Sequence, residues 1–513
     1  MEEYNIADTE RSEFESFFIT MIDSKTNKNT NYLKLPQSTC FSYCIKEILH
    51  LINNEMAGKV KTENSNYFIK IFYDFMLYDT IFKKVDYLQY SNILLTLKSY
   101  AEGNKVALKE KYAFFYKCKV MYIKKYKDIL YDLIKNQTLS GKIDKNTYEY
   151  TNNFINELLA SGMDYLYLGY LVKLYKENKF KCLEDFVEYL YGKKPDSFDI
   201  YLPITRLSEK EKDFFAQQNQ KLEEFNNVVY CKIYDNNTND FFHVIKENFL
   251  RIESLFNMLR LYTNSNNDFN KEEKIIVRSK VFNDELILCF DDILRYIGAT
   301  PYSKNLKQTV ASLEIIKDSH EYRQDYFKIL NAISYAEKDK DIMSASSYVD
   351  NWISLETLMS MNGYKTGFDA VTALIPKILS AKMILNNATN TLKFAYNNYK
   401  GLPMKLERFL KMVKDNTFDI KKIMNPYYKL EIQKMIDNFN DIKMLEKEFV
   451  RVEKKIECDL YRLYMLRNEY VHASNLQAFN SMQHFYIKQI LPNVFDEFFR
   501  ALNVKIKKYA TLI

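Results

Sequence analysis

Glycine and proline are scarce in this sequence, with 10 glycines and 8 prolines among 513 residues. That is about 2% each, against ordinary usage of about 7% and 5%. Gly-rich phosphate-binding loops, collagen-like repeats and turn-rich all-β sandwiches depend on these residues, so their scarcity argues against those classes. Helix interiors tolerate neither residue, so the composition favours a mainly α protein.

Motifs for metal, nucleotide and acyl-transfer chemistry are also missing. The seven cysteines contain no C-x-x-C pair, which argues against a disulfide framework or a cysteine-type zinc site. There is no P-loop, no G-x-G-x-x-G and no G-x-S-x-G motif. None of the five histidines has a second histidine three or four residues away; they are His50, His243, His320, His472 and His484. We therefore expect no metal and no cofactor.

No apolar run is long enough to cross a membrane. The strongest run, residues 165–175, is interrupted by Lys173 and is far shorter than the about 20 residues that a membrane-spanning helix needs. The first ten residues, MEEYNIADTE, are acidic and polar, unlike a secretory signal. We predict a soluble, cytoplasmic protein with no membrane partner.

Apolar and aromatic residues, in contrast, are abundant. The apolar fraction of 47% excludes a largely disordered chain, and 42 tyrosines and 36 phenylalanines stand beside a single tryptophan. The aromatic excess reflects either codon bias in an AT-rich genome, the simpler reading, or a surface that stacks nucleic-acid bases. The formal net charge of +6 is too small for a surface that is basic throughout, but it permits a local basic groove.

Apolar residues spaced three and four apart predict helices on both sides of a short β region. Residues 198–207 and 228–234 read as strands, and Pro203 places the first strand at a sheet edge. Residues 275–290 read as a hairpin that turns across Asn283-Asp284. The expected organisation is a mostly helical N-terminal region over residues 1–300, with short strands around 198–290, followed by a helical bundle over 301–513. The predicted helices are 41–56, 66–77, 113–135, 148–160, 163–175, 183–191, 305–319, 322–337, 344–361, 370–396, 404–415, 442–473 and one from Gln477.

The long helix predicted over 442–473 carries the strongest candidate site near its end. An apolar stripe along this helix continues onto Arg467, so a cation occupies a position that should face protein. Either Arg467 pairs with a buried acid, or it faces a groove or a partner subunit. Asn468 and His472 are four residues apart and share one helix face, so the amide can orient the imidazole.

Arg467 and His472 do not share a face of an ideal helix. A rotation of about 100° per residue around the helix axis, taken over five residues, places the two positions roughly 140° apart. They converge on one atom only if the helix ends, distorts or meets a second copy, which favours a composite site in a homodimer. The plainer reading is that a lone histidine near a helix end is structural.

A second segment, residues 330–358, strengthens the functional reading. It holds Tyr335 and Ala336, then the only tryptophan in the pattern W-x-x-L-E-x-L, formed by Trp352, Leu355, Glu356 and Leu358. Together with Arg467, Asn468 and His472, this order resembles the HEPN ribonucleases, in particular the Apea-like HEPN domains of bacterial antiphage, abortive-infection proteins. The resemblance covers roughly residues 310–513, implies an HEPN-like helical bundle, and does not extend to the first 300 residues.

The resemblance implies a metal-independent endoribonuclease that acts as a toxin in antiphage defence. RNA carries its own nucleophile, the 2′-hydroxyl, so cleavage needs a proton acceptor or donor, which His472 supplies, and positive charge on the phosphorane, which Arg467 supplies. Asn468 orients His472 or contacts the phosphate. Glu356 either pairs with Arg467 or is a solvated helix acid. Tyr470 packs in the protein or at a dimer seam, or contacts a base, and packing is favoured.

The expected partners are an RNA substrate, with tRNA and mRNA both candidates, a second copy of the chain, and a phage-derived trigger or regulatory partner sensed through residues 1–300. The expected products are 2′,3′-cyclic phosphate and 5′-hydroxyl ends. The alternative is a non-catalytic scaffold of HEPN-like fold that binds RNA or another protein. The Lys/Tyr-rich stretch 109–127 reads either as an RNA-binding helix or, more simply, as a solvated amphipathic face.

Overall fold

The fold of the chain is mainly α, as predicted, with one small antiparallel sheet. The computed structural model describes residues 11–26, 40–58, 62–103, 106–192, 197–235, 240–263, 267–280, 284–290, 323–337, 345–360, 366–399, 406–415, 417–473, 487, 490–498 and 500. Within these ranges, no helix combines the length and the apolarity needed to cross a bilayer.

In the described part of the chain, nine helices precede the first strand. They are α1 (Glu13–Thr26), α2 (Phe41–Met56), α3 (Thr62–Tyr78), α4 (Phe82–Val85), α5 (Tyr87–Ala101), α6 (Leu108–Ser140), α7 (Thr147–Ala160), α8 (Tyr165–Lys176) and α9 (Leu183–Leu190). The predicted helix 41–56 coincides with α2, and α6 extends beyond its predicted ends. The α1, α4 and α5 helices were not predicted.

Aromatic side chains form the centre of this N-terminal helical region. Phe41 stacks on Tyr126 and on Phe82, with ring centroids 4.8 and 5.0 Å apart. These three rings are almost completely buried. Many of the abundant tyrosines therefore fill the core, where their large apolar area stabilises the fold.

The stretch 109–127 lies on α6 and is amphipathic. Phe115 and Tyr126 are buried in the core, whereas Lys117 and Lys124 are exposed. Tyr116 is half exposed beside these lysines. An exposed face of this composition fits both readings of the stretch, so its role stays a prediction.

Five strands form the sheet in the order β2-β3-β1-β4-β5, and every neighbouring pair is antiparallel. The strands are β1 (Phe198–Ile204), β2 (Lys221–Phe225), β3 (Val228–Asp235), β4 (Ile275–Ser279) and β5 (Asp284–Leu288), with α10 (Glu209–Gln217) and α11 (Phe241–Thr263) between them. The predicted hairpin over 275–290 is confirmed, although its turn comes before Asp284 because this residue pairs with Ser279. The β2 strand and both helices were not predicted.

The expectation that Pro203 marks an edge strand is wrong, since β1 lies in the middle of the sheet. The β4 strand pairs with β1 only as far as Tyr201, so it has ended before Pro203. The Pro203 carbonyl accepts from the Asn270 amide at 3.0 Å on that same side. The N and C=O groups of one strand residue point to the same side of the strand, so the nitrogen of Pro203, like its carbonyl, faces away from β3. The proline therefore removes no hydrogen bond between β1 and β3.

The described helices that follow the sheet are α12 (Arg323–Glu337), α13 (Ala345–Met359), α14 (Gly367–Asn397), α15 (Leu406–Lys414), α16 (Pro426–Asn440) and α17 (Ile442–Ala473), and residues 490–498 are also helical. Five of them match predicted helices, and α17 has the predicted bounds. The α16 helix was not predicted. The predicted helix 305–319 and the first residues of the last one lie outside the described residues.

Residues on the two sides of the predicted boundary near residue 300 pack together. The Tyr67 and Tyr461 rings stack with centroids 4.1 Å apart, joining α3 to α17. The Ser24 hydroxyl donates to the Tyr427 hydroxyl at 2.9 Å, joining α1 to α16. The boundary itself lies outside the described residues, and the division into two domains stays a prediction.

A buried aspartate after α3 predicts an unusual dependence of stability on pH. Asp79 is almost completely buried, and burial raises its pKa to about 7. In the unfolded chain an aspartate has a pKa of about 3.9. Between these values the native state keeps a proton that the unfolded state releases, so the free energy of unfolding falls as pH rises.

The free energy of unfolding of the wild-type chain should therefore fall by about 2 kcal/mol from pH 5 to pH 7 relative to that of Asp79→Asn, which has no proton to release at this position. Urea unfolding of both proteins at the two pH values measures this change. Asp74→Asn is the matched control, because Asp74 is an exposed aspartate on α3. Equal stability differences at both pH values would contradict the expected raised pKa.

Candidate functional site

The α17 helix carries the predicted motif in its last two turns. Its apolar stripe is completely buried, as predicted, and consists of Val452, Ile456, Leu460 and Leu463. These residues hold α17 against α13, α14 and α16. The stripe fixes the rotation of the helix about its axis, and so determines which way the motif residues face.

Arg467 occupies the next position on the buried stripe and is half-buried. Its Nη1 donates to the Asn468 Oδ1 at 3.0 Å, while its buried Nε has no hydrogen-bond acceptor in the described part of the chain. No described carboxylate lies within ion-pair distance of Arg467. The predicted pairing with a buried acid is therefore not made by the described residues, and the guanidinium keeps its attraction for an external anion such as phosphate.

The α17 helix stays regular past the predicted histidine position and ends at Ala473. A helix end or break between Arg467 and His472 therefore does not bring these two positions together. The hydrogen bond to Asn468 turns the guanidinium around the helix towards the face on which position 472 lies. The His472 side chain itself lies outside the described residues.

Tyr470 packs against α13. Its ring lies edge-on to the buried Tyr348 ring with centroids 5.4 Å apart, and the Tyr348 hydroxyl donates to the Leu463 carbonyl at 2.8 Å. Burial and the adjacent Glu469 raise the pKa of Tyr470. The ring therefore helps to fix the motif turn of α17 against α13, which is the packing role that the sequence favours.

The W-x-x-L-E-x-L segment forms the inner face of α13. Trp352 is completely buried beside Tyr464, as expected for a core residue, and Leu355 is completely buried as well. Glu356 is half-buried and lies against Gly367, where an added Cβ would come within 2.9 Å of the Glu356 Cβ. Among the described side chains, no ion pair joins Glu356 to Arg467.

A histidine from the N-terminal region contacts the motif. The Nε2 atom of His50, on α2, makes a short contact with the carboxylate of Glu469, and the Asn54 amide lies 3.1 Å from the same nitrogen. The His50 side chain is 52% exposed, whereas that of Glu469 is 16% exposed. The carboxylate is thus more enclosed than the imidazole.

A buried ion pair between the same two helices supports this contact. Arg462 of α17 donates to both carboxylate oxygens of Glu47 at 2.8 and 3.0 Å, and its side chain is 3% exposed. The guanidinium also lies over the Tyr43 ring, 5.2 Å from its centroid. Burial raises the pKa of Glu47, and the charge of Arg462 opposes that shift.

A cavity of about 290 Å³ opens between α2 and α17 at this place. Lys46, His50 and Glu469 line it together with the buried ion pair. Lys46 and His50 are four residues apart, so their side chains project from the same face of α2. The Lys46 ammonium donates to the Ala160 carbonyl at 2.9 Å, which leaves two further donors.

A larger cavity, of about 450 Å³, lies elsewhere in the fold, between helices of the N-terminal and C-terminal regions. Lys25, Tyr148, Lys434 and Arg451 contribute to its lining. It contains none of the site residues predicted from the sequence. We therefore locate the candidate site at the end of α17 and not in the larger cavity.

The chain matches no family model, no curated protein and no solved structure in comparisons with known proteins. Among the described residues, no group of three or more His, Cys, Asp or Glu side chains is placed to hold a metal ion. The site is therefore assessed on the chemistry of its own side chains.

Sequence reasoning missed His50 and Glu469. Both residues were visible, His50 as one of five histidines and Glu469 inside the motif, but their contact joins positions separated by 419 residues. The available signal was that His50 lies on the polar face of a strongly amphipathic helix. Periodicity identifies such a face but does not say which helix it meets.

Proposed function

We propose that the protein is a metal-independent endoribonuclease that acts as a toxin or effector in antiphage defence. The proposal rests on the motif Arg467-Asn468-x-x-x-His472, on the resemblance of residues 310–513 to HEPN ribonucleases, and on the state of Arg467. That state supports the proposal because a half-buried guanidinium, five residues before a predicted acid–base histidine on the same helix, has no described carboxylate to neutralise it.

The proposed reaction is attack of the RNA 2′-oxygen on the adjacent phosphorus. The O2′–P bond forms, the P–O5′ bond breaks, and one proton leaves the 2′-hydroxyl while another reaches O5′. His472 takes part in proton transfer, and Arg467 stabilises the negative charge on the phosphorane. Asn468 holds the guanidinium of Arg467 at the site.

We further propose that two copies of the chain form a composite site. Positions 467 and 472 are roughly 140° apart around a regular helix, and a phosphate between two such helices would contact both residue types without a break in either helix. Residues 1–300 would then hold the site inactive until a phage-derived trigger or a regulatory partner releases it.

The decisive experiment is incubation of the purified protein with total RNA in excess EDTA, followed by analysis of the ends. We expect cleavage without added metal, with 2′,3′-cyclic phosphate and 5′-hydroxyl ends. The double variant Arg467→Ala/His472→Ala, purified in parallel, controls for contaminating ribonucleases. If the protein binds RNA in a salt-dependent way but produces no cyclic phosphate, the non-catalytic binding scaffold replaces this proposal.

A further inference from the structure

The larger cavity, of about 450 Å³, has the size of a small-molecule site, for which volumes of about 300 to 1,000 Å³ are usual. It lies between α1 and α7 of the N-terminal region and α14, α16 and α17 of the C-terminal region. Most of the side chains that line it are polar and carry amide, hydroxyl, ammonium or carboxylate groups. The cavity therefore has the room and the chemistry for a charged, hydroxylated small molecule.

Two lysines contact the same face of α7 in this cavity. The Lys25 ammonium, from α1, donates a short hydrogen bond to the Asn152 side-chain oxygen. The Lys434 ammonium, from α16, lies 3.3 Å from the centroid of the Tyr148 ring. Tyr148 and Asn152 are four residues apart, so they share one helix face and are separated by about 6 Å along its axis. Two ammonium groups over neighbouring positions are suited to hold different oxygens of one phosphate group.

Lys434 brings positive charge to the mouth of the cavity. Its side chain is exposed, whereas Lys25 is only 5% exposed and lies further in. No described carboxylate is within ion-pair distance of the Lys434 ammonium, although the charges of Glu431 and Glu448 act on it. The third cation of the lining, Arg451, donates two hydrogen bonds to Glu448. The anion-binding role therefore falls to the two lysines and not to Arg451.

Amide side chains elsewhere in the lining are suited to hydroxyl groups. The side-chain oxygen of Asn387, on α14, is buried and has no hydrogen-bond donor in the described part of the chain. A buried acceptor without a donor costs free energy, so a ligand that donates to it gains affinity. A fully ionised phosphate has no hydrogen to donate, whereas a hydroxyl group has one. Asn438, four residues after Lys434 on α16, offers a second amide from the same helix face.

We propose that this cavity binds a small phosphorylated sugar, with its phosphate between the ammonium groups of Lys25 and Lys434 and a hydroxyl on the Asn387 side-chain oxygen. Three cations and two carboxylates, those of Glu431 and Glu448, line the cavity, which gives a net charge of +1. This balance suits a single phosphate and disfavours a polyphosphate. Sugar phosphates and nucleoside monophosphates share this chemistry. The proposal does not depend on the proposed ribonuclease activity.

Isothermal titration calorimetry of the full-length chain tests the proposal directly. Ribose 5-phosphate, glucose 6-phosphate and adenosine monophosphate are compared with ribose and with inorganic phosphate. We expect at least one phosphorylated compound to bind with a dissociation constant below about 1 mM, inorganic phosphate to bind more weakly, and ribose to show no binding. Tighter binding of adenosine monophosphate than of the two sugar phosphates would identify a nucleotide, and the opposite order a simple sugar phosphate.

Three single variants, each first shown by thermal unfolding to be folded, test where this compound binds. Lys434→Met should raise its dissociation constant by about 10- to 100-fold, the usual effect of losing one charged hydrogen bond. Asn387→Ala should raise it by about 2- to 10-fold, as for a neutral hydrogen bond. Lys429→Met is the matched control and should bind as the wild type does, because Lys429 is an exposed lysine of α16 that does not line the cavity.

Four results would overturn the proposal. If none of the three phosphorylated compounds binds, or if ribose binds as tightly as its phosphate, the cavity is not a phosphate site. If inorganic phosphate binds as tightly as the phosphorylated sugars, the hydroxyl contact is wrong. If Lys434→Met and Asn387→Ala both bind as the wild type does, the ligand binds elsewhere. If Lys429→Met weakens binding as much as Lys434→Met, the attraction comes from the general charge of α16 and not from a site.

Discussion

Arg467→Ala is expected to lower the rate of RNA cleavage by about 100- to 1,000-fold, the loss typical of removing one preorganised donor to a developing oxyanion. The reason is specific to this arginine, which is half-buried, is hydrogen-bonded to Asn468 and has no described carboxylate partner. Its positive charge would thus be available to the phosphorane of the proposed reaction. Single-turnover cleavage of a labelled RNA in EDTA measures the loss.

The α17 helix provides a matched control for this substitution. Arg451 lies on the same helix, but its Nε and Nη2 donate to the two carboxylate oxygens of Glu448 at 2.7 and 2.5 Å. Arg451→Ala should therefore leave the cleavage rate within a few-fold of wild type. Arg467→Lys keeps the charge but loses the forked geometry, so it should recover only part of the rate.

The same substitutions test the proposed role in the cell. If cleavage is the toxic activity, Arg467→Ala and His472→Ala should abolish toxicity on expression, and Arg451→Ala should retain it. If Arg467→Ala still cleaves RNA at the wild-type rate, the assignment of this arginine is wrong. If it no longer cleaves RNA but stays toxic, the toxicity has another source.

The helical part of the fold was predictable because apolar periodicity is a local property of the sequence. The α2 and α17 helices have their predicted bounds, and the buried stripe of α17 was identified residue by residue. Short or polar elements were missed, as α16 shows with only three buried residues. The position of β1 was predicted incorrectly because a proline signal says nothing about where the neighbouring strand ends.

The candidate site was predictable only along one helix. The spacing of Arg467, Asn468 and position 472 could be read from α17 alone, since helix geometry fixes it. The sequence could not show that the described residues form no ion pair between Glu356 and Arg467, because this depends on how α13 and α17 are placed relative to each other. The same holds for His50, whose partner is 419 positions away in the sequence.

Arg462→Ala is expected to destabilise the protein by about 3 to 5 kcal/mol, the usual cost of leaving one member of a buried ion pair without its partner. Arg462 and Glu47 are joined by two hydrogen bonds, and the Arg462 side chain is 3% exposed. Removing the guanidinium leaves the Glu47 carboxylate enclosed and without its counter-ion. Urea unfolding of the full-length chain measures the loss, with Arg451→Ala expected to cost at most about 1 kcal/mol.

A double variant that also carries Glu47→Gln separates two effects on stability: the uncompensated charge of Glu47 and the packing lost with the arginine side chain. If the cost comes from the uncompensated Glu47 carboxylate, Arg462→Met/Glu47→Gln should recover part of the stability lost in Arg462→Ala, since Glu47 then carries no charge and the buried Asp459, 3.6 Å from Arg462, keeps Lys455 as its partner at 3.1 Å. A loss below about 1 kcal/mol in Arg462→Ala would contradict the ion pair as described. Because the pair joins α2 to the helix that carries Arg467, the destabilised variant should lose the structure of both helices in one unfolding transition, and hydrogen exchange at α2 and α17 should accelerate together.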